Sequence, residues 1–396
     1  MSEKRDFDVL VVGGGVIGLS CAWRLAQRGA RVAVLERGEP GAGATRVAAG
    51  MLAPVGELTF GEPQLLELTL AAAKLYPGFV AELEAATGES TGYEVLGALH
   101  VALDRDEAAQ LRRVHDLQRS LQLEAEWLPP RRCRDLEPGL TPSFHGGVYA
   151  AGEAAVDPRA LTRVLLAACA ATGVEIHAGT EVVGGIFEGE RLVGVRTASR
   201  RSDTQEVSDR RLGGRFEAEA VLLAAGAWSS ATAWLPEEAR PPVRPVKGQV
   251  VELRSRSVEP VARHILASER VYLVPRPDGR LVIGATVEEL GLDTAVTAGG
   301  VHELLREAYR LLPEVAEMEW VGVTAGLRPG TPNNLPLVGP GAIEGLVLAT
   351  GHFRNGILLA PLAAQAVADL ISGVRPFPGI STEKDERAVA EVGRNS

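Results

Sequence analysis

The stretch FDVLVVGGGVIGLSCAWRLAQRGARVAVLE, residues 7–36, constrains this chain more than any other. An apolar strand over 7–12 runs into the glycine-rich turn 13–18, an amphipathic run from Leu19 to Arg28 follows, and after Gly29 a second strand over 31–35 is closed by Glu36. Strand, tight turn, helix, strand is one βαβ unit, whose crossover commits its two strands to a parallel sheet. Gly13, Gly15 and Gly18 match G-x-G-x-x-G in the setting that gives that pattern meaning. Glycines let the backbone approach a pyrophosphate at a helix start, and the acid ending the next strand accepts hydrogen bonds from ribose hydroxyls. The competing reading is a turn that only packs helix on strand.

Further along, helical patterns are expected over 62–88, with a break near Pro77, over 105–121, over 157–172 with Asp157 as cap, and over 301–312. Apolar strands are expected over 96–103, 218–228, 320–327 and 345–351, and antiparallel strands over most of 241–285. Residues 199–215 read as a solvated polar loop and the last twenty or so as frayed. The fold class that follows is α/β: a discontinuous Rossmann-like cofactor domain over 1–55, 150–235 and 325–375, with an antiparallel-sheet (α+β) substrate domain over 56–149 and 236–324 and a tail over 376–396.

The formal charge of −10 over 396 residues argues against a general nucleic-acid binder. The opening MSEKRDFD carries no apolar core of a signal peptide, and no run approaches the roughly 18 apolar residues of a spanning helix, so a soluble cytoplasmic protein is expected. Cys21, Cys133 and Cys169 stand far apart without metal-type spacing and read as reduced core thiols. No metal site is expected.

Which dinucleotide binds is less fixed by these residues. The long small-residue loop 38–52 after Glu36, and strand ends at Gly13, Gly226 and Gly351, suit an extended ligand and lean towards FAD. The segment GHFRNGILLAPLAAQAVADLI, 351–371, places His352, Arg354 and Asn355 before a nearly all-apolar helix starting near Gly356, with Pro361 expected in its first turn. Free N–H groups at that start would stabilise negative charge on a reduced flavin; a helix end satisfied by its own side chains is the alternative.

The motifs VVGGGVIG, GATRVAAGML, VKGQVV, VYLVPRPDGRLVIGAT, GLRPGT and GHFRNGILLAP occur in an order that resembles the D-amino-acid oxidase family of FAD-dependent oxidoreductases over nearly the whole chain, its glycine-oxidising members most of all. The resemblance implies noncovalent FAD; no cysteine lies in the C-terminal half to tether it. It implies oxidative deamination of glycine, sarcosine and small D-amino acids with dioxygen as acceptor, a role in thiamine biosynthesis, and a homotetramer. It places Val16, Ile17, Glu36, Arg37, Ala44, Thr45, Ala49, Gly50 and Met51 along the cofactor, Val182 at its adenine, and His352, Phe353, Arg354, Asn355, Gly356, Ile357 and Leu358 around the flavin. Arg46 departs from the small residue usual there.

For the substrate, a guanidinium meets both oxygens of a buried carboxylate. The resemblance assigns that task to Arg328, where an apolar strand meets a Pro-Gly turn, against a surface salt bridge, and makes Arg354 a second substrate contact, the alternative being a residue that holds the helix start. Tyr272 is read as a further donor to the carboxylate or as a strand tyrosine with its hydroxyl in water, and Met51 is placed in the same site. No side chain is needed as acid or base once the substrate is positioned. Two other readings are a dehydrogenase of the same fold passing electrons to a quinone or carrier, and a noncatalytic FAD-binding sensor or scaffold.

Overall fold

A computed structural model of the chain describes residues 5–198, 212–257 and 260–374. Strand Phe7–Val12 lies between Val32–Leu35 and the C-terminal half of Leu212–Leu223, all parallel. Leu346–Thr350 and Glu175–His177 extend the sheet at either side, again parallel. Val9, Val11, Val34, Leu222 and Val347 enter a core shared with helices Val16–Gln27, Pro63–Thr87, Pro158–Ala171 and Gly356–Ile371, while Leu10, Val12, Leu35, Val221 and Leu348 fill a core on the other face. Burial on both faces is why these strands are unbroken apolar runs. The N-terminal half of Leu212–Leu223 instead pairs antiparallel with Arg191–Ala198, which pairs with Val182–Glu188.

A second sheet runs in the order Glu319–Gly330, Arg244–Arg254, Arg280–Gly284, Tyr272–Pro275, Ile265–Ala267, Ala98–Val101, Gly147–Ala150, Glu126–Leu128. One face, with Val251, Leu253, Leu273, Leu281 and Ile283, packs on Leu304, Ala308 and Leu311 of helix Ala298–Leu311. The other face carries Gly248, Val250, Tyr272, Gly284 and Arg328 and is open to a large cavity. Alternate residues thus serve core and site.

Several expectations need correction. Pro63–Thr87 is one helix through Pro77, because Tyr76, Phe79, Val80 and Leu83 continue the buried face set by Leu68 and Ala72, while Pro77 lies on the exposed side. Core packing there outweighs a proline cost of about 3 kcal/mol. Pro361 sits in the second turn of Gly356–Ile371, not the first, since a short 3₁₀ turn over Phe353–Asn355 precedes the helix. Residues 212–215 belong to a strand, held by antiparallel pairing with Arg191–Ala198; 199–211 and the tail 376–396 lie outside the described residues. The expected boundaries at 150 and 325 fall within strands Gly147–Ala150 and Glu319–Gly330, both members of the second sheet. Asp157 does cap its helix, accepting from the N–H groups of Arg159 and Ala160. The three cysteines are free and buried. Among the described residues no helix is long and apolar enough to cross a membrane.

Candidate active site

The C-terminal ends of the parallel strands and the open face of the second sheet enclose a cavity of about 1040 Å³. Its walls include the strand ends at Gly13, Glu36, Ala224–Ala227 and Thr350, the position at which open α/β sheets hold their ligands.

At the first strand end the backbone is drawn tight. Gly13 has φ 113°, and a Cβ there would stand 2.4 Å from the Ala224 carbonyl oxygen. A Cβ on Gly18 would meet the Gly13 carbonyl oxygen at 1.9 Å, so the last glycine of the motif serves helix–turn packing and does not line the cavity. Glu36 accepts hydrogen bonds from the N–H of Gly14 and of Gly38, each at 2.8 Å, and Thr45 Oγ1 accepts from the N–H of Val16 at 3.0 Å. The loop after Glu36 is thereby tied to the helix start. The Arg37 guanidinium stacks 4.0 Å from the centre of the Trp228 ring, and Trp228 is a wall residue that sequence reasoning missed.

Gly356 and Ile357, the first residues of the C-terminal helix, also line the cavity. No side chain caps this helix and no acid stands in its first turn. Beside it, His352 is buried with no partner on Nε2 among the described residues, and burial lowers its pKa to about 3, so the ring is neutral at ordinary pH. Asn355 and Leu358 are buried but face away, Asn355 towards a small pocket under residues 54–69 and Leu358 into the helix core. Helical periodicity turns them from the cavity. A cavity with a glycine cradle, a buried ring nitrogen that has no partner among the described residues and an uncapped helix start fits FAD.

At the other end, Arg328 and Tyr272 lie on one face of the second sheet, three strands apart. Arg328 stands opposite Val246, and its side chain crosses Gly248; Tyr272 stands opposite Gly284. Arg328 Nη1 donates to the carbonyl oxygens of Thr286 at 3.1 Å and Lys247 at 3.4 Å, and among the described residues no carboxylate pairs with it. Burial raises the Tyr272 pKa, with the Arg328 charge acting the other way. Met51, Glu57 and His100 complete this end, and burial lowers His100 to about 4. Arg354 reaches the cavity wall, yet its guanidinium donates to Thr59 Oγ1 at 3.0 Å and Glu62 at 2.8 Å, already paired where a substrate contact was expected.

Of the other expected residues, Gly15, Val16, Ile17, Arg37, Ala44, Thr45, Ala49, Gly50, Val182, Gly226, His352 and Phe353 all line the cavity. Arg46 points to solvent, so its bulk leaves the loop path undisturbed. Glu57, His100, Gly248 and Gly284 were missed. Among the described residues, no group of three or more His, Cys, Asp or Glu could hold a metal.

The chain is 36% identical over 392 residues to the glycine oxidase of Geobacillus kaustophilus, covering 98% of each chain. It is also 36% identical to the bifunctional protein ThiO/ThiG of Trichormus variabilis, of which it spans 54% of the length, about half, against 94% of its own. The crystal structure of the Geobacillus kaustophilus enzyme superposes with a TM-score of 0.85 at 34% identity, covering 96% of this chain and 99% of that one. The family model described as FAD dependent oxidoreductase matches residues 8–370. The glycine turn, the cavity at the strand ends and this match over nearly the whole described chain agree: the protein belongs to the FAD dependent oxidoreductase family and is a flavoenzyme.

Proposed function

We propose that this enzyme oxidatively deaminates glycine, sarcosine and small D-amino acids, with dioxygen as final acceptor. The overall products are an imine, which hydrolyses to a 2-oxo acid and ammonia (methylamine from sarcosine), and hydrogen peroxide. Glycine imine formed in this way would feed thiazole synthesis for thiamine, a placement supported by the similarity to a protein named ThiO/ThiG. A homotetramer in the cytoplasm is part of the same proposal, on the family resemblance.

One observation carries the reading: Arg328, laid over Gly248, held by the Lys247 and Thr286 carbonyls and paired with no carboxylate among the described residues, presents a guanidinium to the cavity beside the Tyr272 hydroxyl that it touches. A guanidinium without a carboxylate of its own is matched to a substrate carboxylate through two charge-assisted hydrogen bonds. Tyr272, kept protonated by burial, donates a third. Bound FAD supplies the acceptor for a hydride leaving the substrate Cα. The chain's own residues then position and shield: the carboxylate clamp fixes Cα, the start of helix Gly356–Ile371 directs its dipole at the cavity, and neutral His352 adds no charge.

An anaerobic absorbance spectrum before and after glycine tests this. Bleaching of the flavin bands, with stoichiometric peroxide once air is admitted, is expected. Bleaching without peroxide in air would indicate a dehydrogenase, and no bleaching with any amino acid a noncatalytic module. Arg328→Ala should raise the KM for glycine at least about tenfold; an unchanged KM removes Arg328 from the site.

A further inference from the structure

Residues 53–62 join strand Met51–Leu52 to helix Pro63–Thr87, and Ala53 and Glu57 within them line the substrate end of the cavity. This segment is pinned from below and from the side. Buried Glu153 accepts from the N–H of Val55 at 2.8 Å and of Gly56 at 3.0 Å, and Gln118 Nε2 donates to the Val55 carbonyl oxygen at 2.9 Å. Arg354 holds Thr59 and one oxygen of Glu62, while Asn334 Nδ2 donates to the other oxygen at 2.7 Å.

That scaffold fixes where Glu57 stands. Among the described residues nothing donates a hydrogen bond to its carboxyl group; burial raises its pKa, the positive charges of Arg354 and Arg328 act the other way and favour the carboxylate, and its charge acts in turn on Tyr272. Arg354 is compensated by Glu62. The same cavity is therefore lined by Arg328 and, within reach of its charge, by an acid that has no hydrogen-bond partner among the described residues.

We infer that Glu57 is a specificity-determining residue: it admits amino acids whose nitrogen or Cα substituent is neutral or cationic and turns away those bearing a second anionic group. The inference rests on the amino-acid oxidase reading above. Arg328 balances one substrate carboxylate. A second carboxylate projecting towards residues 53–57 meets Glu57 with no cation left to neutralise it, and in a site screened from water such repulsion is strong.

The test compares iminodiacetate with N-(carbamoylmethyl)glycine, nearly equal in size and differing by one negative charge. Each competes with glycine in anaerobic flavin bleaching of the holoenzyme at pH 8, for the parent, Glu57→Gln and Glu57→Ala. In the parent the diacid should bind at least about tenfold more weakly than the amide. In both variants that ratio should fall at least about fivefold towards one. A ratio unchanged by either variant overturns the inference, including the case in which both ligands weaken together because Glu57 serves the substrate nitrogen. A diacid that binds the parent as tightly as the amide, or failure of both ligands to compete, also overturns it, since charge then decides nothing. A parent that glycine does not bleach refutes the oxidase reading itself, an outcome distinct from the others.

Discussion

Arg328 lies across Gly248 so closely that a Cβ at that glycine would stand 2.4 Å from both terminal guanidinium nitrogens. Tyr272 covers Gly284 in the same way, its hydroxyl 2.3 Å from where a Cβ would be. Strand register brings this about, because Gly248 and Gly284 flank Val250 and Arg328 on one face of the sheet. Gly248→Ala should therefore displace the clamp while leaving the core on the opposite face intact. Steady-state kinetics should show kcat/KM for glycine reduced by about tenfold or more, against a thermal midpoint within about 4 °C of the parent. Unchanged kinetics would mean that Arg328 does its work from another position.

Arg354 and Glu62 form a partly buried pair, with 27% and 17% of their side chains exposed. If Arg354 acts by pinning residues 53–62, Arg354→Ala and Glu62→Gln should produce similar defects, and the double variant should be little worse than either. A double-mutant cycle on kcat/KM should give a coupling of about 1 kcal/mol. Additive effects, with Arg354→Ala alone raising the KM, would return Arg354 to direct carboxylate contact.

The cofactor end was legible from sequence because its demands are local. A turn that needs φ 113° at Gly13 and a Gly13 carbonyl oxygen within 1.9 Å of a hypothetical Gly18 Cβ leave a mark in neighbouring residues. Arg328 came from resemblance, as no local pattern separates a clamp from a surface arginine. Gly248, Gly284, Glu57 and His100 were not legible, because each matters through a partner far along the chain: Gly248 through Arg328, 80 positions away by the register Val246↔Arg328. Pro77 misled for the same reason, since the packing that overrides it comes from other elements.

Glu153 is 1% exposed, and burial raises its pKa to about 8 although two backbone N–H groups favour its charged form. A carboxyl raised above its unfolded value contributes stability that is fully present below the unfolded pKa and lost as pH rises through the folded one. Thermal melts of the parent should therefore lose stability between about pH 5 and pH 9, on the order of a few kcal/mol from this group. Glu153→Gln keeps a neutral acceptor for both N–H groups and should flatten that decline. A parallel decline in both proteins would locate the titration elsewhere.

Glu36 offers a last test, since its carboxylate ties the loop after the second strand and we propose that it also binds the ribose hydroxyls. Each oxygen already accepts one backbone N–H, from Gly14 and from Gly38. A carboxylate oxygen has room for a second bond, so the same side chain can hold the turn and the ribose together. Glu36→Ala removes both functions and Glu36→Gln only part of one, because the amide oxygen still accepts while the amide nitrogen faces a donor. Titrating apoprotein with FAD by flavin fluorescence, Kd should rise at least about tenfold for Glu36→Ala and by less for Glu36→Gln. A Kd within about twofold of the parent for Glu36→Ala would assign the residue to the turn alone, because loss of a charged hydrogen bond to the ribose would exceed that change.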